Sequence, residues 1–197
     1  MNHSIASEFS LHSLLSGYGI SEERLVELFA RHTRIRLAGK GEILLERGRV
    51  NQTAFYLIDG CAYQYELNDT GEERIIDLHI TGDWVLNHSS FVGQRASEVC
   101  IKASSVCRLL EVRMEDIHYL ISVSQKFIQL GRILEEVNTR VQYFDRQQTP
   151  YGKYEGLMKD RKELFGHFPL KMIASYLKIT PETLSRVREK FVSAGKT

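Results

Sequence analysis

Between Thr33 and Val112 the apolar residues come in short or alternating runs that glycine interrupts: IRLAGKGEILLERG, AFYLIDGCAYQYEL, RIIDLHITGDWVL and EVCIKASSVCRLLEV. Alternation at period two predicts strands with one face in a core, as at Phe55, Leu57 and Cys61, and at Tyr63 and Tyr65. Gly39, Gly41, Gly48, Gly60, Gly71, Gly82 and Gly93 punctuate these runs. Asn68-Asp69-Thr70-Gly71 has hairpin-turn chemistry. Many short strands with turn signals between them predict a β-sandwich or barrel.

On either side the period changes. Residues 8–32 read as helix, with Ser21 in a start signal and Leu25, Leu28 and Phe29 at helical spacing. From Glu115 the pattern is helical again. Ile128, Ile133, Leu134, Val137, Val141 and Phe144 form one apolar stripe, which needs a partner. The chain's own barrel is one candidate. A second copy is the other and the favoured one, with Ile133, Leu134, Val137, Val141 and Phe144 as a dimer seam. Thr149-Pro150-Tyr151-Gly152 is read as the end of that helix, because proline lacks the N–H and disfavours helix before it. A further helix is expected over Lys153 to Lys162. The expected divisions are 1–114, a β-rich domain with an N-terminal helix; 115–148, a long helix; and 149–197, a helical domain.

Composition bounds the function classes. The chain has 197 residues, 43% hydrophobic and 26% charged, an ordinary globular balance. No apolar run approaches the ~20 residues of a membrane span. The stretch MNHSIASEFSLHSLLSGYG has neither a basic n-region nor a small-residue cleavage site, so no secretion signal and a cytoplasmic location are expected. Three cysteines, Cys61, Cys100 and Cys107, suit a reducing compartment. Seven histidines show no metal-ligand spacing, and no P-loop, nucleophile elbow or HExxH is present, so neither a metal site nor catalysis is expected. Charge is uneven: residues 151–197 hold ten lysines and arginines against five acids, a local +5 in a chain of net +1. That end suits a polyanion.

The same end carries IASYLKITPETLSRVREKF, residues 173–191. Ile173, Ala174, Leu177, Ile179, Leu184 and Val187 fall where two short helices crossing steeply must bury side chains. Pro169 opens the first helix. Thr180 can cap the second, and Pro181 then stands at its first position with φ already set. The turn residue Lys178 occupies a place usually left-handed and usually glycine, at a cost of roughly 1 kcal/mol. Thr180, Glu182, Thr183, Ser185, Arg186, Arg188 and Lys190 remain outside, a set suited to base edges and phosphates. These residues point to a helix–turn–helix that binds double-stranded DNA.

With those residues named, the chain resembles the Crp/Fnr family of transcription regulators over nearly its whole length. KGEILLERGRVNQTAFYLIDGCAYQYE resembles the opening of that family's β-roll, and ITPETLSRVREKF its recognition helix. The resemblance implies an α+β fold: a double-stranded β-helix or jelly roll of the cyclic-nucleotide-binding type, a dimerisation helix and a C-terminal helix–turn–helix. It also implies a homodimer, a palindromic operator, RNA polymerase as a further partner and a small-molecule effector of unidentified kind. Two departures stand out. Pro181 takes the place of the first arginine of the family's Arg-Glu-Thr-x-x-Arg pattern, and no wing hairpin is expected after Phe191. In the cyclic-nucleotide cassette the family uses Gly-Glu and a later Arg followed by small residues. Here the segment offers Gly82, Asp83, Trp84, Ser89, Ser90, Arg95, Ala96 and Ser97. Asp83 is one carbon short, Trp84 is bulky, and Arg95 lies two residues early, with Ser97 at the expected arginine position. No cofactor is expected and a cyclic nucleotide is disfavoured. The alternative is a ligand-binding module that acts through protein contacts.

Overall fold

The computed structural model describes residues 9–142, 149–193 and 195. Two short helices, α1 (Leu11–Gly17) and α2 (Glu23–Arg31), precede eight strands: β1 (Thr33–Ala38), β2 (Ile43–Leu45), β3 (Thr53–Asp59), β4 (Ala62–Leu67), β5 (Glu73–His79), β6 (Trp84–Val85), β7 (Cys100–Ala103) and β8 (Cys107–Arg113). Helix α3 (His88–Gly93) lies between β6 and β7. After the strands come α4 (Met114–Val123), a 3-10 turn at Gln125–Leu130, α5 (Gly131–Gln142), α6 (Pro150–Asp160), α7 (Leu164–His167), α8 (Leu170–Tyr176) and α9 (Pro181–Ser193).

The strands form two four-stranded sheets in the orders β1-β8-β3-β6 and β2-β7-β4-β5. Neighbours pair antiparallel. The mixed α+β class with a jelly-roll-like β-domain is therefore as expected. Between the sheets lies one core, with Leu45, Phe55, Leu57, Val85, Ile101 and Leu109 buried. Gly60 holds the turn from β3 to β4 at φ +100°; a Cβ there would stand 2.4 Å from the carbonyl oxygen of Val106, so only glycine fits.

Two further cores flank the roll. Helices α1, α2 and α4, the 3-10 turn and α5 cover the outer face of the first sheet around Phe29, Leu110, Phe127 and Val137. Helices α6 to α9 cover the second sheet around Tyr63, Tyr65, Leu78, Leu164, Ile173 and Leu184. This explains why β4 is buried on both faces along Ala62–Tyr65, where one buried face was expected. Alternation signals a half-wet strand only while nothing covers the second face.

Several expectations are corrected. Residues 8–32 are not one helix: the chain breaks at Gly19, φ +77°, and α2 starts at Glu23 without a side-chain cap from Ser21. The helix expected from Glu115 is interrupted at Ser124, whose extended backbone and side-chain cap to the Lys126 N–H start the 3-10 turn. Thr149-Pro150 opens α6, ahead of the expected start at Lys153. The Thr149 hydroxyl accepts from the Gly152 N–H at 3.0 Å, and Pro150 sits in the first turn, where its missing N–H costs nothing. The stripe expected to pair two copies is taken up within the chain. Ile133 and Val137 are buried against the β-roll, with Leu134 half-buried beside them, because the outer face of the first sheet is apolar and adjacent. The side chain of Val141 is not described, and Phe144 lies outside the described residues.

Candidate nucleic-acid interface and effector cassette

Helix α8 begins after Pro169 and stops at Leu177. Lys178 is left-handed, φ +56°. Its N–H donates to Ser175 O, and the Ile179 N–H reaches back to Ala174 O, at 2.9 and 3.0 Å. These two bonds satisfy the last carbonyls of α8 and turn the chain. The Thr180 hydroxyl then accepts from the Thr183 N–H at 3.2 Å, and α9 starts at Pro181. Ile173, Ala174, Leu177, Leu184, Val187 and Phe191 are buried between the helices.

On the opposite side of α9, Glu182, Ser185, Arg186 and Lys190 are exposed and Thr183 is half-buried. Thr180 is exposed beside them. Backbone N–H donation at the start of α9 lowers the Glu182 carboxyl pKa, helped by Thr180 and by Arg186 one turn on. Arg188 is turned to the side, its guanidinium 6.0 Å from the ring centre of Phe165. The Lys190 ammonium lies 5.5 Å from the ring of Tyr151. The structure thus brings Thr180, Glu182, Thr183, Ser185 and Arg186 onto one face, with Lys190 at its far end and Arg188 at its margin.

The cassette residues do not converge in the same way. Gly82 turns the chain at φ +96°, and Asp83 Oδ2 accepts from the Ile80 N–H. Trp84 is buried away from the roll interior, in the core under the helices; its Nε1–H donates to the Tyr18 hydroxyl, which donates to Glu136 Oε2. Burial first, then the Glu136 carboxylate, raises the Tyr18 pKa far above its usual value. Asn87 caps α3 through the Ser90 N–H, and Ser89 leans on the same oxygen. Buried Ser90 accepts from the Asn51 N–H and donates to Arg95 O. Buried Ser97 donates to Val99 O. Ala96 bridges to Val50. Arg95 is exposed, its side chain lying along Gly93. Ser90 and Ser97 hold the loop together, and Arg95 lies outside it.

A buried charge cluster stands beside this loop, and neither composition nor spacing had marked it. In β5 the register passes from Tyr65↔Ile75 to Gln64↔Asp77, leaving Ile76 as a one-residue bulge. The bulge shifts the phase of the strand. Ile75 and Leu78 pair with Tyr65 and Tyr63 and face helices α6 to α9, while Asp77 and His79 pair with Gln64 and Ala62 and face inward. Asp77 and His79 are both wholly buried. Arg140 of α5 enters to meet them. Its Nε donates to Asp77 Oδ2 at 2.8 Å, and its Nη2 donates to Trp84 O at 2.8 Å and to His79 Nδ1 at 3.0 Å. Its Nη1 stands 3.3 Å from Asp83 Oδ1. Arg161, just past α6, donates to Leu78 O and to Asp83 Oδ2. Burial would lower the Arg140 pKa, but the carboxylates of Asp77 and Asp83 outweigh it and hold it raised. His79 is neutral, its pKa pushed well down by burial and then by Arg140. A period-two polar pair, Asp77 and His79, on a strand rich in apolar residues was the available signal.

No family model matches the chain. Over 121 residues it is 26% identical to the cAMP-activated global transcriptional regulator CRP of Pasteurella multocida, a match that covers 59% of this chain and 58% of that one. The chain thus spans little more than half the length of that curated relative. FixK2 from Bradyrhizobium japonicum superposes with a TM-score of 0.69 at 15% identity, over 83% of this chain and 86% of that one. The c-di-GMP responsive global regulator CLP of Xanthomonas campestris gives 0.58 at 16% identity, over 88% and 93%. The fold is also that of a putative transcriptional regulator of the Crp/Fnr family from Eubacterium rectale, with a TM-score of 0.60 at 17% identity over 88% of this chain and 85% of that one.

Asp83, at the place where the resemblance led one to expect a ribose-binding carboxylate, faces two of the chain's own arginines, Arg140 and Arg161. The roll interior next to it holds Gln64, Asp77 and His79, and the Gln64 amide nitrogen donates to Leu86 O at 2.9 Å. Among the described residues no group of histidine, cysteine, aspartate and glutamate is arranged to hold a metal ion, and no helix is long and apolar enough to cross a membrane.

Proposed function

We propose that this chain is a sequence-specific DNA-binding transcription regulator that acts as a homodimer in the cytoplasm. The observation that carries this reading is α9. One face, Leu184, Val187 and Phe191, is buried on α6 and α8. The other presents Glu182, Ser185, Arg186 and Lys190 to solvent from a capped N-terminus. That is the form of a helix that enters a major groove by its first turns. Arg186 is the base reader, suited to a bidentate contact with guanine. Lys190 and Arg188 meet phosphates.

The second copy docks on the side of α5 left open by the β-roll. Leu134 and Asn138 are half-buried there, and Val141 follows at the same helical spacing. Apolar residues flanking one asparagine set both pairing and register in two-helix seams. A symmetric dimer then places two α9 helices ~34 Å apart, one turn of DNA. A cyclic nucleotide is not the effector on this reading, because Asp83 is engaged by arginines and Arg95 lies outside the loop. A different small molecule acts at the roll.

The test is selection from a random DNA pool followed by competition binding as salt is raised. A palindromic consensus with half-sites one turn apart, and a salt-dependent affinity for it, is the expected result. Retention of no sequence at low salt overturns the reading in favour of a module that works through protein contacts.

A further inference from the structure

The helix–turn–helix unit is tied to the β-roll at three places. The first is the charge cluster: Asp83, in the cassette turn, holds Arg161 at the exit of α6. The second is the edge of the sheet. Strand β5 is the last in its order, and the Ile75 N–H donates to the hydroxyl of Ser175 on α8 at 2.9 Å. The third is a cleft of about 570 Å³ between the start of α9 and the β4–β5 hairpin, with Glu72, Glu73 and Arg74 on the hairpin side and Lys171 and Pro181 on the other.

We propose that Asp83 is a latch: it holds Arg161, and with it the helix–turn–helix, against the β-roll in a closed state that does not accept DNA, and release of Arg161 opens the unit for binding. This rests on the DNA-binding reading above. The cluster is built for one side to leave. Arg140 belongs to α5 and stays with the roll, where it neutralises Asp77, which has no access to solvent. Asp83 and Arg161 keep partial side-chain exposure, 19% and 15%, so water can solvate both as they part. Departure of Arg161 removes a longer contact, 3.9 Å from Asp77 Oδ1, and leaves Asp77 hydrogen-bonded to Arg140, whereas departure of Arg140 would take the direct partner from a wholly buried carboxylate. The latch residue also lies in the cassette. Gly82 and Asp83 form the turn between β5 and β6, so a ligand that moves this turn or recruits its carboxylate takes Asp83 away from Arg161. Effector site and DNA-binding unit are coupled through one side chain.

The test uses the full chain, a selected operator and amide hydrogen exchange at two reporters. Ile75 reports the contact with Ser175, and Leu109, on the central strand β8, reports the fold. Asp83→Asn keeps the shape and removes the charge. It should tighten DNA binding by a factor in the range of ~5–150, the usual size of such coupling. It should also speed exchange at Ile75 and leave Leu109 protected. Arg161→Gln should act alike from the other end. Unchanged or weaker DNA binding by either variant, with Leu109 still protected, overturns the latch. If both variants lose Leu109 protection, the wild-type chain decides: saturation with operator should deprotect Ile75, and an Ile75 that stays protected on DNA overturns the proposal. A wild type and variants that all ignore DNA at low salt would instead overturn the DNA-binding reading itself, and the latch with it.

Discussion

Arg140 Nε donates to Asp77 Oδ2 at 2.8 Å, and the aspartate has no exposed side-chain surface. The pair joins α5 to the inside of the β-roll. It is not a large source of net stability, since burying two charges costs much of what their attraction returns. Its effect is clearest when one partner is removed. Asp77→Ala removes the carboxylate bonded to Arg140 Nε and leaves the arginine with Asp83, 3.3 Å from its Nη1, as its remaining acid. A loss near the low end of about 3–5 kcal/mol is expected in urea or thermal unfolding. Asp77→Leu combined with Arg140→Met should recover most of it.

His79 makes the same region sensitive to acid. Its pKa in the folded chain lies well below the ordinary 6.5. Below about pH 6.5 the unfolded chain therefore takes up a proton that the folded one refuses. Stability from this group is fully present above that pH and falls as pH drops, by up to ~1.4 kcal/mol per unit. His79→Gln should flatten the stability profile between about pH 5 and 6.5 relative to wild type. An unchanged slope would mean that His79 titrates normally.

Ile133 and Val137 are part of the fold, so acidic residues there should do more than split a dimer. Val137→Asp buries an unpaired carboxylate in the core under α5 and should cost several kcal/mol. Loss of the cooperative melt is expected on circular dichroism. Leu134→Glu, at the half-buried margin, should keep the melt and yield a monomer by light scattering if the second copy docks there.

Lys178 pays for its left-handed backbone, φ +56°. Lys178→Gly relieves that strain and should raise stability by ~1 kcal/mol, visible as a melting point a few degrees higher. The side chain is exposed, so little packing is lost.

Arg186→Ala should cost ~1–3 kcal/mol on a selected operator and relax preference at one base step. Lys190→Ala should weaken selected and scrambled DNA alike and lower the salt slope by about one unit. Equal losses on both DNAs for Arg186→Ala would make it a phosphate clamp.

What the amino-acid order settled by itself is local. Glycines bounded the strands, Asn68 to Gly71 marked a hairpin, and Thr180-Pro181 started α9 with the cap where the hydroxyl and the proline demanded it. Those features depend on backbone geometry within a few residues, and so does the left-handed Lys178. The choice of partner for each apolar face was not local. The stripe through Ile133 and Val137 could cover a sheet or a second helix, and periodicity is the same for both. Packing chose the β-roll because its first sheet presents an apolar outer face to α5. The clearest case is β5. At strict period two Ile75, Asp77 and His79 share a face, and solvent is the natural place for the polar pair. One extra residue, Ile76, reverses the phase midway. Ile75 then faces α8, and Asp77 and His79 turn inward to meet Arg140, 63 and 61 residues further along the chain. A bulge has no distinctive sequence, and a charge finds a buried partner only when the whole chain has folded around it. The elements were therefore legible residue by residue, while the cluster that joins the β5–β6 turn, α5 and the end of α6 was decided by tertiary structure.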